Sequence, residues 1–136
     1  MSYKVFISHS SRDSDLARDL ARRLQEAGVE TFLPAENLQV GQDVMTKINR
    51  ALRNSDEVVV LLTDHSVNNP NITLEMGAAL GMHKLVTPIS VGINRDERLA
   101  FFNQFSHVSY ADVSDYIAQL RERANEHANG KEAIRK

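Results

Sequence analysis

The sequence predicts an α/β fold built on a parallel sheet, and three observations carry that prediction. Five short β-rich runs are interleaved with stretches whose apolar residues recur at helical spacing. One of the runs, Val58-Val59-Val60-Leu61-Leu62, is continuously apolar, as a strand covered on both faces must be. The chain has 136 residues, 42% hydrophobic and 25% charged, which is the size and composition of one domain around one core.

Lys4 to Ser8 reads as the first strand, and the small polar residues His9 to Asp13 end it. Asp13 or Ser14 then caps a helix running to about Ala27, with Leu16, Leu20 and Leu24 on one stripe and Gly28 as its stop. Val29 to Leu33 is a second short strand, closed by Pro34. Residues 34–42 form a polar loop holding Gly41. Val44, Ile48 and Leu52 mark a second amphipathic helix that ends near Asn54. Glu57 to Thr63 is the third strand. The next helix has Asn69 as N-cap and Pro70 at its first position, and it ends near His83. Its apolar residues at 72, 76 and 80 are expected to face the core, with Glu75 at the edge of that stripe.

Leu85 to Val91 is a fourth strand whose Pro88 argues for a place near a sheet edge or a local irregularity. Residues 94–105, with Phe101, Phe102 and Phe105, receive no assignment. His107 to Tyr110 reads as a weak edge strand, and Val113, Ile117, Leu120 and Ala124 mark a last helix. From Asn125 the chain looks frayed, so residues 1–126 are taken as the domain and 127–136 as a C-terminal tail or the start of a linker. This order implies a flavodoxin-like five-stranded parallel sheet, 2-1-3-4-5, with helices on both faces. Ligands in such sheets bind beyond the carboxyl ends of the strands. That rule gathers Ser8 to Ser11, Asp64 to Asn69 and the loop after the second strand.

Composition and motifs remove several chemistries. The formal charge of -2 gives no basic footprint for nucleic acid. No run of about 18 apolar residues could span a membrane, and the N-terminus lacks a signal-peptide core, so a cytoplasmic domain is the expectation. The absence of cysteine excludes thiol nucleophiles and thiolate metal sites. The histidines at 9, 65, 83, 107 and 127 lack metal-ligand spacing, so no metal is expected. There is no dinucleotide glycine fingerprint, no P-loop and no G-x-S-x-G elbow. A phosphorelay receiver would need an acidic cluster after the first strand, where Ser8-His9-Ser10-Ser11 stands.

Four motifs carry a resemblance, in the right order. Val5-Phe6-Ile7-Ser8-His9-Ser10 with Asp13 resembles the first box of TIR (Toll/interleukin-1 receptor) domains. Residues 31–41, from Thr31 to Gly41, are similar to their second strand and BB loop. Val58 to Thr63 with Ser66, followed by Glu75-Met76-Gly77-Ala78-Ala79, resembles their third strand and catalytic helix. Val86-Thr87-Pro88-Ile89 fits the fourth strand. The likeness covers roughly residues 3–124, and the Asn69-to-Glu75 segment has the prokaryotic form.

The resemblance implies one of two functions. Some TIR domains are NAD+ glycohydrolases or cyclases, and others are assembly modules that bind TIR domains alone. For the enzyme, the helix glutamate maps onto Glu75. No cofactor is implied, since NAD+ is the substrate. His9, Ser10 and Ser11 are offered as ribose or diphosphate contacts, with Arg12 the nearest basic side chain. Glu36 matches a glutamate of the same loop in some enzymatic members, and Gly41 and Ser66 are counted with it as substrate-binding. Asn71 takes the place of a tryptophan that many animal and plant members carry four residues before the glutamate. Self-association through the BB-loop region, 34–44, and a role in prokaryotic antiphage defence are further implications. A non-catalytic TIR–TIR module, a virulence TIR that engages host adaptors, and a nucleoside 2-deoxyribosyltransferase-like enzyme are the alternatives.

Overall fold

A computed structural model describes residues 3–34, 44–66, 69–92 and 107–135 of the chain. Its five strands are β1 (Lys4–Ser8), β2 (Glu30–Phe32), β3 (Glu57–Leu62), β4 (Leu85–Ser90) and β5 (Val108–Ser109). They form one sheet in the order β2-β1-β3-β4-β5, and every neighbouring pair is parallel. The helices are α1 (Ser14–Glu26), α2 (Val44–Asn54), α3 (Pro70–Gly81) and α4 (Val113–Arg135). This is the flavodoxin-like arrangement that the sequence predicts.

Strand alternation divides the core into two layers. Val5, Ile7, Val59 and Leu61 face α1 and α4, where Leu20, Leu24, Val113 and Leu120 meet them. Phe6, Val58, Val60 and Leu62 face α2 and α3, against Leu52, Ile72 and Met76. β3 contributes to both layers and is buried along its whole length, which is why its sequence is a continuous apolar run.

Several local expectations are corrected. Asp13 does not cap α1. Ser10 instead caps a 3-10 turn, Ser11–Asp13, that leads straight into the helix, and Asp13 accepts a hydrogen bond from Thr63 Oγ1 at 2.6 Å. Asn69 does cap α3, its side chain accepting from the Asn71 N–H at 2.9 Å, with Pro70 next. The buried stripe of α3 runs through Ile72, Met76 and Ala79, while Leu80 is exposed. A period of 3.6 alternates steps of four and three, so a second consecutive step of four drifts off the face. α3 ends at Gly81, and His83 takes the left-handed turn after it at φ 58°. α4 continues to Arg135, so the expected fraying from Asn125 is not what the backbone adopts.

Pro88 sits where its missing donor does least harm. Val91 donates its N–H to Leu62 O across to β3, so by alternation Ser90 and Pro88 turn their backbone groups the other way. On that side β5 pairs only with Ile89 and Ser90. The β3–β4 ladder therefore runs past Pro88 unbroken. The segment 94–105 lies outside the described residues.

Candidate functional site

β1 and β3 end side by side, with Ser8 in register with Val60. The turns that leave them are tied together by hydroxyls. Asp13 holds Thr63, and the Thr63 Oγ1 accepts from the His65 N–H at 3.0 Å. Ser66 Oγ donates to Leu61 O at 2.7 Å and accepts from the Thr63 N–H at 2.8 Å. This mesh pairs the backbone groups of Leu61, Thr63 and His65 at the end of the sheet.

α3 carries Glu75 to the end of β1. The half-buried carboxylate accepts a hydrogen bond from Ser8 Oγ at 2.7 Å. Among the described residues, no hydrogen bond to its other oxygen is seen. Burial pushes the Glu75 carboxyl above the ordinary glutamate range, and the Ser8 hydroxyl pulls it back by favouring the charged form.

Glu75 opens into a cleft of about 880 Å³, within the range that holds a small-molecule ligand. Its polar lining comes from His9, Ser11, Asn69, Asn71, Thr73 and Glu75, at the end of β1 and on α3, and from Asn49 on α2. Its apolar lining comes from Met45, Ile48, Leu52, Leu74 and Ala78, on the facing sides of α2 and α3. His9 Nδ1 lies 3.1 Å from Ile7 O, a contact in which Nδ1–H donates to the carbonyl and turns the Nε2 edge of the ring away from it. Gly77 also lines the cleft, and a Cβ there would meet nothing within 4 Å.

The structure thus brings His9, Ser11, Asn71 and Glu75 together on one cleft. It does not place Ser10, Arg12 or Ser66 among the lining residues. Ser10 is buried and its hydroxyl accepts from the Arg12 N–H, while Ser66 is buried and held by its own turn. Arg12 is exposed. Glu36 and Gly41, with most of the 34–44 loop, lie outside the described residues. Sequence reasoning gathers Ser8 with the crevice but gives it no role, and so misses its bond to Glu75. The signal was its parity. Ser8 falls on the same face as Phe6, where an apolar residue is expected. Among the described residues, no group of three or more His, Asp or Glu side chains gathers as a metal site requires. No helix among them is long and apolar enough to cross a membrane.

Comparison with known proteins bears on this geometry. A model of the TIR domain matches residues 5–126. Over 129 residues the chain is 32% identical to the 2' cyclic ADP-D-ribose synthase BtTIR of Bacteroides thetaiotaomicron, covering 88% of this chain and 45% of that protein. It is 27% identical over 111 residues to the NAD(+) hydrolase TcpC of Escherichia coli O6:H1, covering 77% of this chain and 35% of that protein. The chain therefore spans less than half the length of either relative. Among solved structures, the TIR domain of the Toll-related Receptor TRR-2 from Hydra magnipapillata matches with a TM-score of 0.68. That match has 20% identity and covers 99% of this chain and 100% of that one, a likeness of fold alone. With the sheet order, the motif order and a family match across most of its length, this chain belongs to the TIR domain family.

Proposed function

We propose that this TIR domain consumes NAD+, cleaving the nicotinamide–ribose bond with Glu75 as the catalytic residue. One observation carries the reading. A half-buried carboxylate with a single hydrogen bond among the described residues stands in a ligand-sized cleft, beside polar groups suited to ribose and apolar walls suited to a planar base. The activities for which the bacterial relatives are named, synthesis of 2' cyclic ADP-D-ribose and hydrolysis of NAD(+), support it.

The chemistry needs only one acid. Nicotinamide leaves from a pyridinium as a neutral molecule, so no proton has to be delivered to it. Ordinary glycosidases need a second carboxyl for that task. Glu75 stabilises the positive charge that grows on the ribose ring as the bond breaks. Its location also excludes part of the water that would screen this interaction. His9, Ser11 and Asn71 offer donors and acceptors to the ribose hydroxyls and the diphosphate. Attack by water gives ADP-ribose, and attack by a hydroxyl or ring nitrogen of the same substrate gives a cyclic ADP-ribose. Self-association through the region 34–44 and a role in prokaryotic antiphage defence belong to the same proposal, on the strength of the family resemblance.

The test is NAD+ turnover, followed by chromatography, for wild type and Glu75→Gln over a series of protein concentrations. Turnover by the wild type, rising with concentration, is expected to fall on the order of 100-fold or more in the variant. Product identity separates hydrolysis from cyclisation. A folded wild type that turns over no NAD+ at any concentration would move the reading to a TIR–TIR assembly module. The exposed Leu74 and Met45 at the cleft are the observation that favours that second reading.

A further inference from the structure

We propose that Ser8 is a positioning residue for Glu75: its sealed hydroxyl holds one carboxylate oxygen and leaves the other for the substrate. The inference rests on the proposed role of Glu75 in its kinetic arm alone.

The argument begins with strand parity. Val5 and Ile7 turn to one layer of the core, and Phe6 turns to the other. Ser8 shares the Phe6 side, toward α3. It is fully buried, and its register partner Val60 belongs to the same apolar layer. A hydroxyl in such a place is unfavourable unless it finds an acceptor. The acceptor it finds is Glu75 Oε1, at 2.7 Å, 67 residues along the chain. An alanine or a valine would satisfy the layer equally well, so packing gives no reason for serine here. The carboxylate gives one.

The bond fixes Glu75 in two ways. It removes the rotation by which a lone carboxylate exchanges its two oxygens, because Oε1 is held by the last residue of β1, an interior strand of the sheet. It also favours the ionised form at a partly desolvated site, against the effect of burial. Both effects act through Glu75, and Ser8 is not among the residues lining the cleft.

The experiment compares wild type, Ser8→Ala and Ser8→Cys, in protein labelled with ¹³C-glutamate and assigned with Glu75→Gln. Carbon NMR then reads the titration midpoint of the Glu75 carboxyl directly, whether or not the protein turns over NAD+. The midpoint is expected to rise in Ser8→Ala and to rise less in Ser8→Cys, whose thiol is a weaker donor. In the NAD+ assay, kcat is expected to fall about tenfold in Ser8→Ala, as for loss of one hydrogen bond to a charged group. KM should change little, and the acid limb of the pH profile should move up with the midpoint. An unchanged midpoint in folded Ser8→Ala overturns the proposal, as does a slower variant whose pH profile stays in place. Should Ser8→Ala fail to fold, Ser8→Cys is read by the same two criteria. If the wild type turns over no NAD+, the function reading fails and the carboxyl titration still decides the role of Ser8.

Discussion

Glu57 and Glu75 are two carboxylates at opposite ends of the same sheet, and the protein treats them in opposite ways. Glu57 opens β3 and has no exposed surface. Tyr3 donates to one of its oxygens at 2.7 Å and Tyr116 to the other at 2.6 Å, while Arg123 bridges both at 3.1 and 2.9 Å. The guanidinium also lies over the Tyr116 ring, and His127 meets the Tyr3 ring edge to face. Burial, together with Glu57, pushes both tyrosine hydroxyls up, so they remain donors well into the alkaline range. Glu75, half-buried, has one hydroxyl among the described residues. The fully enclosed charge is saturated with donors and ties α4 to the sheet. The partly enclosed one is left with acceptor capacity at the edge of a cleft. The contrast teaches that burial alone does not mark a reactive acid, and that burial with donors missing is the more telling sign.

The largest test of this contrast is at the Glu57 end. Arg123→Met should cost about 3 kcal/mol or more, since removing one partner of a buried pair strands the other. Denaturant unfolding measures that loss, and NAD+ turnover per folded molecule is expected to stay at the wild-type level. A matching fall in turnover would break the division between the two ends.

Gly77→Ala probes the cleft end. Alanine in place of glycine inside a helix is worth about 1 kcal/mol, and here the new Cβ meets no atom of the protein. The midpoint of unfolding should rise while KM for NAD+ also rises, because the methyl enters the cleft. A gain in stability with an unchanged KM would remove Gly77 from the ligand surface.

The smallest expected effect is the stability of Glu75→Gln, below about 1 kcal/mol. The folded state raises the carboxyl's pKa, so it holds the proton more tightly than the unfolded chain does. The stability linked to that proton is complete below the unfolded value of about 4.3, and it is lost as pH rises through the folded value. Glutamine lacks this loss. Unfolding measured from acid to neutral pH should therefore show the variant gaining on wild type as pH rises. A variant that loses ground instead would mean that Glu75 is stabilised in the manner of Glu57.

Much of this architecture could be read from local pattern. The Val58-to-Leu62 run, the Asn69-Pro70 start of α3 and Gly28 after α1 each follow from neighbours a few residues away. The placement of Glu75 at a strand end followed from topology, and the family motifs agreed with it. What was not legible depends on distant partners. Glu57 is satisfied by residues 54, 59 and 66 positions away, and no periodicity registers them. Ser8 is legible as a residue at the crevice, but its partner is not, because α3 brings Glu75 to it from 67 residues away. Ser10 and Ser66 were readable as polar crevice residues, yet their hydroxyls are committed to their own turns. Composition cannot distinguish an available hydroxyl from a committed one.

Pro88 has a consequence for how copies of this chain can meet. Sheet rims are adhesive, because any strand with a free row of donors and acceptors can recruit another. Among the described residues, the turned-out side of β4 beyond its two-residue pairing with β5 is such a row, and Pro88 withholds a donor from it. An incoming strand would lose its ladder at that point. Crowding copies together, as the proposed activity requires, is then less prone to zipping sheet to sheet, and contact is steered toward side-chain surfaces that can also let go.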